Sequence, residues 1–173
     1  MLRLVIPIVI TILFFLEPVF SLFSPITYGD WVLTLVPRFV FICLIFIATY
    51  VDRKQAIIYG IIFGLLYDVF YIDIIGVYAF LYPVIAFAAA GIIRMIHRNM
   101  FMVILVTFLL IALLEVLSYG FASIIALTTI SFETFVKGRL IPTMLANGVF
   151  IAMFSWFFKK VIVDRVLVKL KED

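Results

Sequence analysis

The sequence predicts an all-α membrane protein, six transmembrane helices forming one domain over residues 1–173. Three observations predict it. Of the 173 residues, 68% are hydrophobic and 13% charged, with a mean hydropathy of +1.37. A water-soluble domain of this size has too much surface to hide that much apolar side chain. The apolar residues also gather in runs close to the ~20 residues that a bilayer core requires. Finally, all but Arg38 of the 13 lysines and arginines fall at the ends of those runs or outside them. The net charge of +3 therefore reads as membrane topology and not as a nucleic-acid surface.

The predicted spans are 2–23, 32–51, 55–72, 77–95, 100–127 and 140–160. The first begins MLRLVIPIVITILFF. Arg3 ahead of an apolar run also fits a signal peptide, but the continuation LEPVFSLFSP lacks a small-residue A-x-A cleavage site, so the segment is read as a span. The second follows YGDWVL and contains Pro37 and Arg38. A few residues separate the third from the fourth. The fifth is long, and Ser118-Tyr119-Gly120 is where it is expected to bend or end. After the sixth comes KKVIVDRVLVKLKED, either a helix lying on the anionic inner leaflet or an ordinary basic anchor.

Basic residues set the direction. With the N-terminus inside, Arg3, Arg53, Lys54, Arg94, Arg98, Lys159, Lys160, Arg165, Lys169 and Lys171 share the cytoplasmic side, against Lys137 and Arg139 outside. Both termini are then expected in the cytoplasm. Tyr28 and Trp31 at outer ends, and Tyr50 and Trp156 at inner ends, suit the aromatic belts.

Four ionisable residues remain inside the spans: Glu17, Arg38, Asp68 and Glu115. Counting helical rise from the cytoplasmic charges puts all four at a depth of roughly 21 to 25 Å, with Asn147 near the same level. Four helices thus bring charge to one layer, and an intramembrane polar cluster is expected with Arg38 as counter-ion to one or two carboxylates. Three acids against one arginine leave an excess, so at least one is protonated, hydrated or paired with another chain. Three uses stay open: an internal network that fixes packing, a proton or ion path, and a partner-facing site. Pro18 and Pro37, each beside a charged residue, are expected to loosen their helices there.

Gly60, Gly64 and Asp68 are spaced by four and share a helical face. A GxxxG face permits close approach of two backbones, and with Asp68 on the same stripe the acid is expected to point into protein. Gly76 is placed with this packing or partner face.

No nucleophile has a base at motif spacing, no glycine-rich phosphate loop is present, and no His/Cys cluster has metal-ligand spacing. His97 reads as loop polarity and Cys43 as a small packing residue. The sequence points to no enzyme, cofactor or metal.

YGDWVL, then G60-xxx-G64-LL-Y-D68 and G76-VYAFLYP, resembles the bacterial rod shape-determining MreD family. The resemblance extends over the chain in length and six-span layout, is most specific at 60–82, and includes an acid in the fifth span, here Glu115. It implies a multi-pass protein of the bacterial cytoplasmic (inner) membrane, working in the elongation machinery that builds lateral peptidoglycan. The implied partners are MreC foremost, with RodA, a class B penicillin-binding transpeptidase and MreB nearby, besides membrane lipids. No catalytic residue carries over. The implied fold is similar to the six-helix substrate-binding subunits of energy-coupling-factor vitamin transporters, which supplies the alternative function. Those subunits commonly carry A-x-x-x-A on the first helix for docking. RLVIPIVITILFFLEPVF has no alanine.

Overall fold

The computed structural model describes residues 2–29, 31–72, 74–96, 99–158 and 160. It is a bundle of six helices with one small hairpin. Helix α1 covers Leu2–Ser21 and is followed by strands β1 (Ile26–Tyr28) and β2 (Trp31–Leu33). Helix α2 is Phe39–Tyr50, α3 is Arg53–Ile72, α4 is Val77–Ile96, α5 is Met100–Ile124 and α6 is Phe132–Phe158. The last turn of α3 (Asp68–Ile72) and an early turn of α6 (Val136–Leu140) widen to π geometry. Among the described residues, α3 to α6 are long and apolar enough to cross a bilayer. The apolar stretches of α1 and α2 are shorter, Val5–Ser21 and Phe39–Tyr50. His97, Arg98, Lys159 and the basic stretch 161–173, with Arg165, Lys169 and Lys171, lie outside the described residues, as do the side chains of Arg3 and Tyr28.

The centre of the bundle is α2. Every residue from Phe39 to Thr49 is buried, and α1, α3, α4, α5 and α6 all pack on it. A helix apolar on all sides is one enclosed on all sides. Its 12 residues rise only about 18 Å, less than a bilayer core.

This corrects the second predicted span, 32–51. Residues 31–33 pair antiparallel with 26–28, Ile26 opposite Leu33, and residues 34–38 form an irregular segment leading to the start of α2. Apolar WVLTLVP satisfies a hydropathy count without being helical. Pro37 biases Val36 away from helical geometry and can donate no backbone bond. The loosened helix expected at Pro37 is therefore a segment that never becomes helical. Pro18, by contrast, lies within α1.

The other differences concern ends. The fifth helix stays α-helical through Ser118-Tyr119-Gly120 as far as Ile124. The sixth begins at 132, not 140, because Ser131 caps it, its Oγ accepting from Thr134 N at 3.2 Å. Asp52 and Asn99 cap α3 and α5 in the same way.

The glycine stripe is where α3 meets α4. A Cβ on Gly60 would lie 3.0 Å from Pro83 N, and one on Gly64 would collide with the Tyr78 carbonyl and Ala79 Cα. Gly64→Ala is thus expected to force backbone apart and lower stability by about 1–3 kcal/mol. Gly60→Ala should cost less, because its contact is short by only tenths of an ångström. Unfolding midpoints of the purified variants check the order. Gly76 does not belong to this face: a Cβ there would meet no described atom within 4 Å, and its φ is +115°. Glycine serves there for its backbone conformation, in the turn that leads into α4.

Candidate functional site

The first residues of α2 (Phe39, Val40) and of α4 (Val77, Tyr78) are buried in the bundle, where their leading N–H groups need partners from the protein. Each of the two is started by a carboxylate from another helix. Asp68, at the end of α3 and fully buried, accepts from Gly76 N at 2.8 Å, Tyr78 N at 2.8 Å and Ala79 N at 3.0 Å. Glu17 of α1, equally buried, accepts from Val40 N of α2 at 2.9 Å. A carboxylate at a helix N-terminus is stabilised both by these bonds and by the helix dipole. Asp68 therefore sits in an apolar stretch as the cap of the next helix.

The irregular segment 34–38 has polar backbone groups to satisfy as well. Thr34 N donates to Gly138 O at 2.7 Å, and Leu35 N to Ser24 Oγ at 2.8 Å. Val36 N donates to Thr143 Oγ1 at 3.1 Å. Asn147 does most: its Oδ1 accepts from Arg38 N at 2.8 Å while its Nδ2 donates to Val36 O and Thr143 O, both at 2.8 Å. Irregular backbone at membrane depth is tolerated where protein supplies such partners.

Arg38 itself is 1% exposed. Its Nε and Nη2 both reach Glu115 Oε1 at 2.6 Å, and Nη2 also donates to the Tyr78 hydroxyl at 2.8 Å. The guanidinium lies 4.9 Å from the Tyr78 ring centre and 5.5 Å from that of Tyr67, a cation–π pair of contacts. The second oxygen of Glu115 accepts from Arg139 Nε at 3.1 Å. Glu115 therefore joins two arginines, from the start of α2 and from α6.

Of the predicted cluster, Glu17, Arg38, Glu115 and Asn147 converge on the start of α2. Asp68 makes no ion pair with Arg38. It is one residue removed, since Tyr78 takes Asp68 through its amide and Arg38 through its hydroxyl. Arg139, Thr143 and Tyr78 were not among the predicted members. Arg139, Thr143 and Asn147 are spaced by four, the signal of a shared polar stripe that could have found them. Among the described residues, no group of three or more His, Cys, Asp or Glu is placed to hold a metal ion.

Beside the cluster is a partly open cavity of about 530 Å³ between the end of α1, the turn from α3 to α4, the end of α5 and the start of α6. Glu17, Arg38, Arg139, Tyr67, Tyr71, Tyr119 and Phe135 contribute to its wall.

The model of a family described as rod shape-determining protein MreD matches residues 2–163. The chain is 38% identical over 147 residues to the Rod shape-determining protein MreD of Bacillus subtilis (strain 168), covering 84% of each chain. It is 29% identical over 126 residues to the Cell shape-determining protein MreD of Streptococcus pneumoniae (strain ATCC BAA-255 / R6), covering 73% of this chain and 77% of that one. No solved structure matches.

Proposed function

The chain belongs to the rod shape-determining MreD family, and from that premise we propose that it is a non-enzymatic scaffold for lateral cell-wall synthesis in the bacterial cytoplasmic membrane. In this reading MreC is its main partner, RodA, the class B penicillin-binding transpeptidase and MreB are neighbours in the same assembly, and both termini face the cytoplasm. One observation carries the non-enzymatic part. Of the three intramembrane acids, Asp68 and Glu115 have both oxygens engaged in holding helices together, and a group so engaged is not free to abstract a proton or attack a substrate; the third, Glu17, is buried and holds the start of α2.

The partly open cavity favours one second reading, a vitamin-binding subunit of an energy-coupling-factor transporter, to whose six-helix form the fold implied by the MreD resemblance is similar. The alanine-free first helix stands against it.

Depleting the protein in a rod-shaped host separates the two readings. The scaffold reading expects round or bulging cells with unimpaired vitamin uptake, and MreC with wall synthases among proteins purified alongside it. Normal rods with a specific vitamin requirement, and an ATPase module in the purification, would reverse the order.

A further inference from the structure

Three cations mark one end of the helix pair α3–α4. Arg53 and Lys54 open α3, and Arg94 lies in the last turn of α4. The two helices run antiparallel, Gly60 against Pro83 and Gly64 against Tyr78. That register brings Arg53 to the level of Ala90 and Gly91, with Arg94 one turn beyond. Among the described residues no carboxylate forms an ion pair with any of the three. Asp52, beside them, accepts from the amides of Lys54 and Gln55 as the cap of α3.

Arg53 turns back toward the middle of the bundle. Its guanidinium lies 3.3 Å from the ring centre of Phe87 on α4, a residue exposed on the outside of the bundle. Nε of Arg53 is buried and makes no hydrogen bond, whereas Nη1 and Nη2 are not enclosed and find no acceptor among the described residues. Phe87, Gly91 and Arg94 follow at helical spacing on one face of α4, and a Cβ on Gly91 would meet no described atom within 4 Å. The gap at Gly91 therefore lies between Phe87, which carries the Arg53 guanidinium, and Arg94. Further along the same two helices Ile58, Ile62, Phe80 and Val84 are exposed. Counting charges for topology accounts for basic residues at this end, but not for a guanidinium folded onto an outward-facing ring beside a gap.

We propose that this end of α3–α4 binds an anionic phospholipid, its phosphate held at the Gly91 gap by Arg53 and Arg94 with Lys54 nearby, and its acyl chains along the exposed apolar side chains. Guanidinium groups take phosphate oxygens through charge-assisted, paired hydrogen bonds. A soluble anion would use the three charges and leave the apolar surface unused, whereas a lipid uses both. A zwitterionic lipid brings a cation of its own to a site that already holds three, so a net negative headgroup is favoured.

The test uses the full chain in phosphatidylcholine nanodiscs with a rising fraction of phosphatidylglycerol. Both leaflets carry the probe, so the direction of insertion does not affect the result. A saturable rise in the unfolding midpoint is expected. The fraction for half-effect should increase about fivefold in Arg53→Gln and in Arg94→Gln, the change that one cation at the lipid surface supplies. Arg94 is exposed and packs on no charged or aromatic group among the described residues, so Arg94→Gln tests the site even if Arg53→Gln folds poorly. Lys160→Gln removes an equal charge at the same end, from a side chain on the Trp156 ring of α6, and should leave the half-effect unchanged. No saturable rise overturns the proposal, and so does an unchanged half-effect in Arg94→Gln. An equal shift in Lys160→Gln overturns it in favour of diffuse surface charge. An equal rise with inorganic phosphate in place of phosphatidylglycerol overturns it in favour of a free anion.

Discussion

Replacing Glu115 by leucine is expected to strip most of the folded protein from the membrane. Glu115 is 0% exposed and joins Arg38 to Arg139, so its loss leaves a fully buried guanidinium without its counter-ion. Removing one member of a buried pair costs about 3–5 kcal/mol, a large share of the stability of an ordinary domain. Arg139, at 38% exposure, can turn toward water and contribute less to the loss. The fraction of monodisperse protein after detergent extraction, and its unfolding midpoint, check this. Glu115→Gln, which keeps the shape and some hydrogen bonding, should lie between leucine and the native residue.

The second large effect is expected at Asp68. Its carboxylate serves three amide groups at the start of α4. Asparagine keeps one oxygen and turns a donor toward groups that also donate. The expected loss is about 1.5–3 kcal/mol, the range for a hydrogen bond to a charged group, and Asp68→Leu should lose more. Amide hydrogen exchange gives this prediction its specificity. The amides of Gly76, Tyr78 and Ala79 should exchange faster in Asp68→Asn, while that of Val40, held by Glu17, should be unaffected.

What the sequence shows of this site and what it hides have one cause. Spacing reveals which side chains share a helical face and a depth. Hence the Gly60–Gly64–Asp68 stripe is legible, as is the convergence of Glu17, Arg38, Glu115 and Asn147 in one layer. Spacing does not reveal backbone groups. The partner of Asp68 looked for in the sequence is a cation, because cations are visible there, whereas the actual partners are the amides of Gly76, Tyr78 and Ala79. The same blindness hides the irregular segment 34–38, since an apolar run has the same composition whether or not it is helical. Its traces are indirect: Pro37 within the run, and the polar Thr143 and Asn147 on a distant helix, whose hydrogen bonds go to Val36 and Arg38. Arg139 is hidden in another way. Beside Lys137 it reads as a topology charge, and only the early start of α6, with Ser131 as cap, brings it onto the face that meets Glu115.

The central claim is that the intramembrane charges hold this fold by satisfying one another and the buried backbone. Its most direct test is the unfolding midpoint of Glu115→Leu compared with that of the double variant Arg38→Met/Glu115→Leu. If Arg38 is held in the bundle by Glu115, removing the arginine as well takes away the unpaired buried charge, and the double variant should be more stable than Glu115→Leu alone. A double variant less stable than Glu115→Leu, with the two losses simply adding, would contradict the claim.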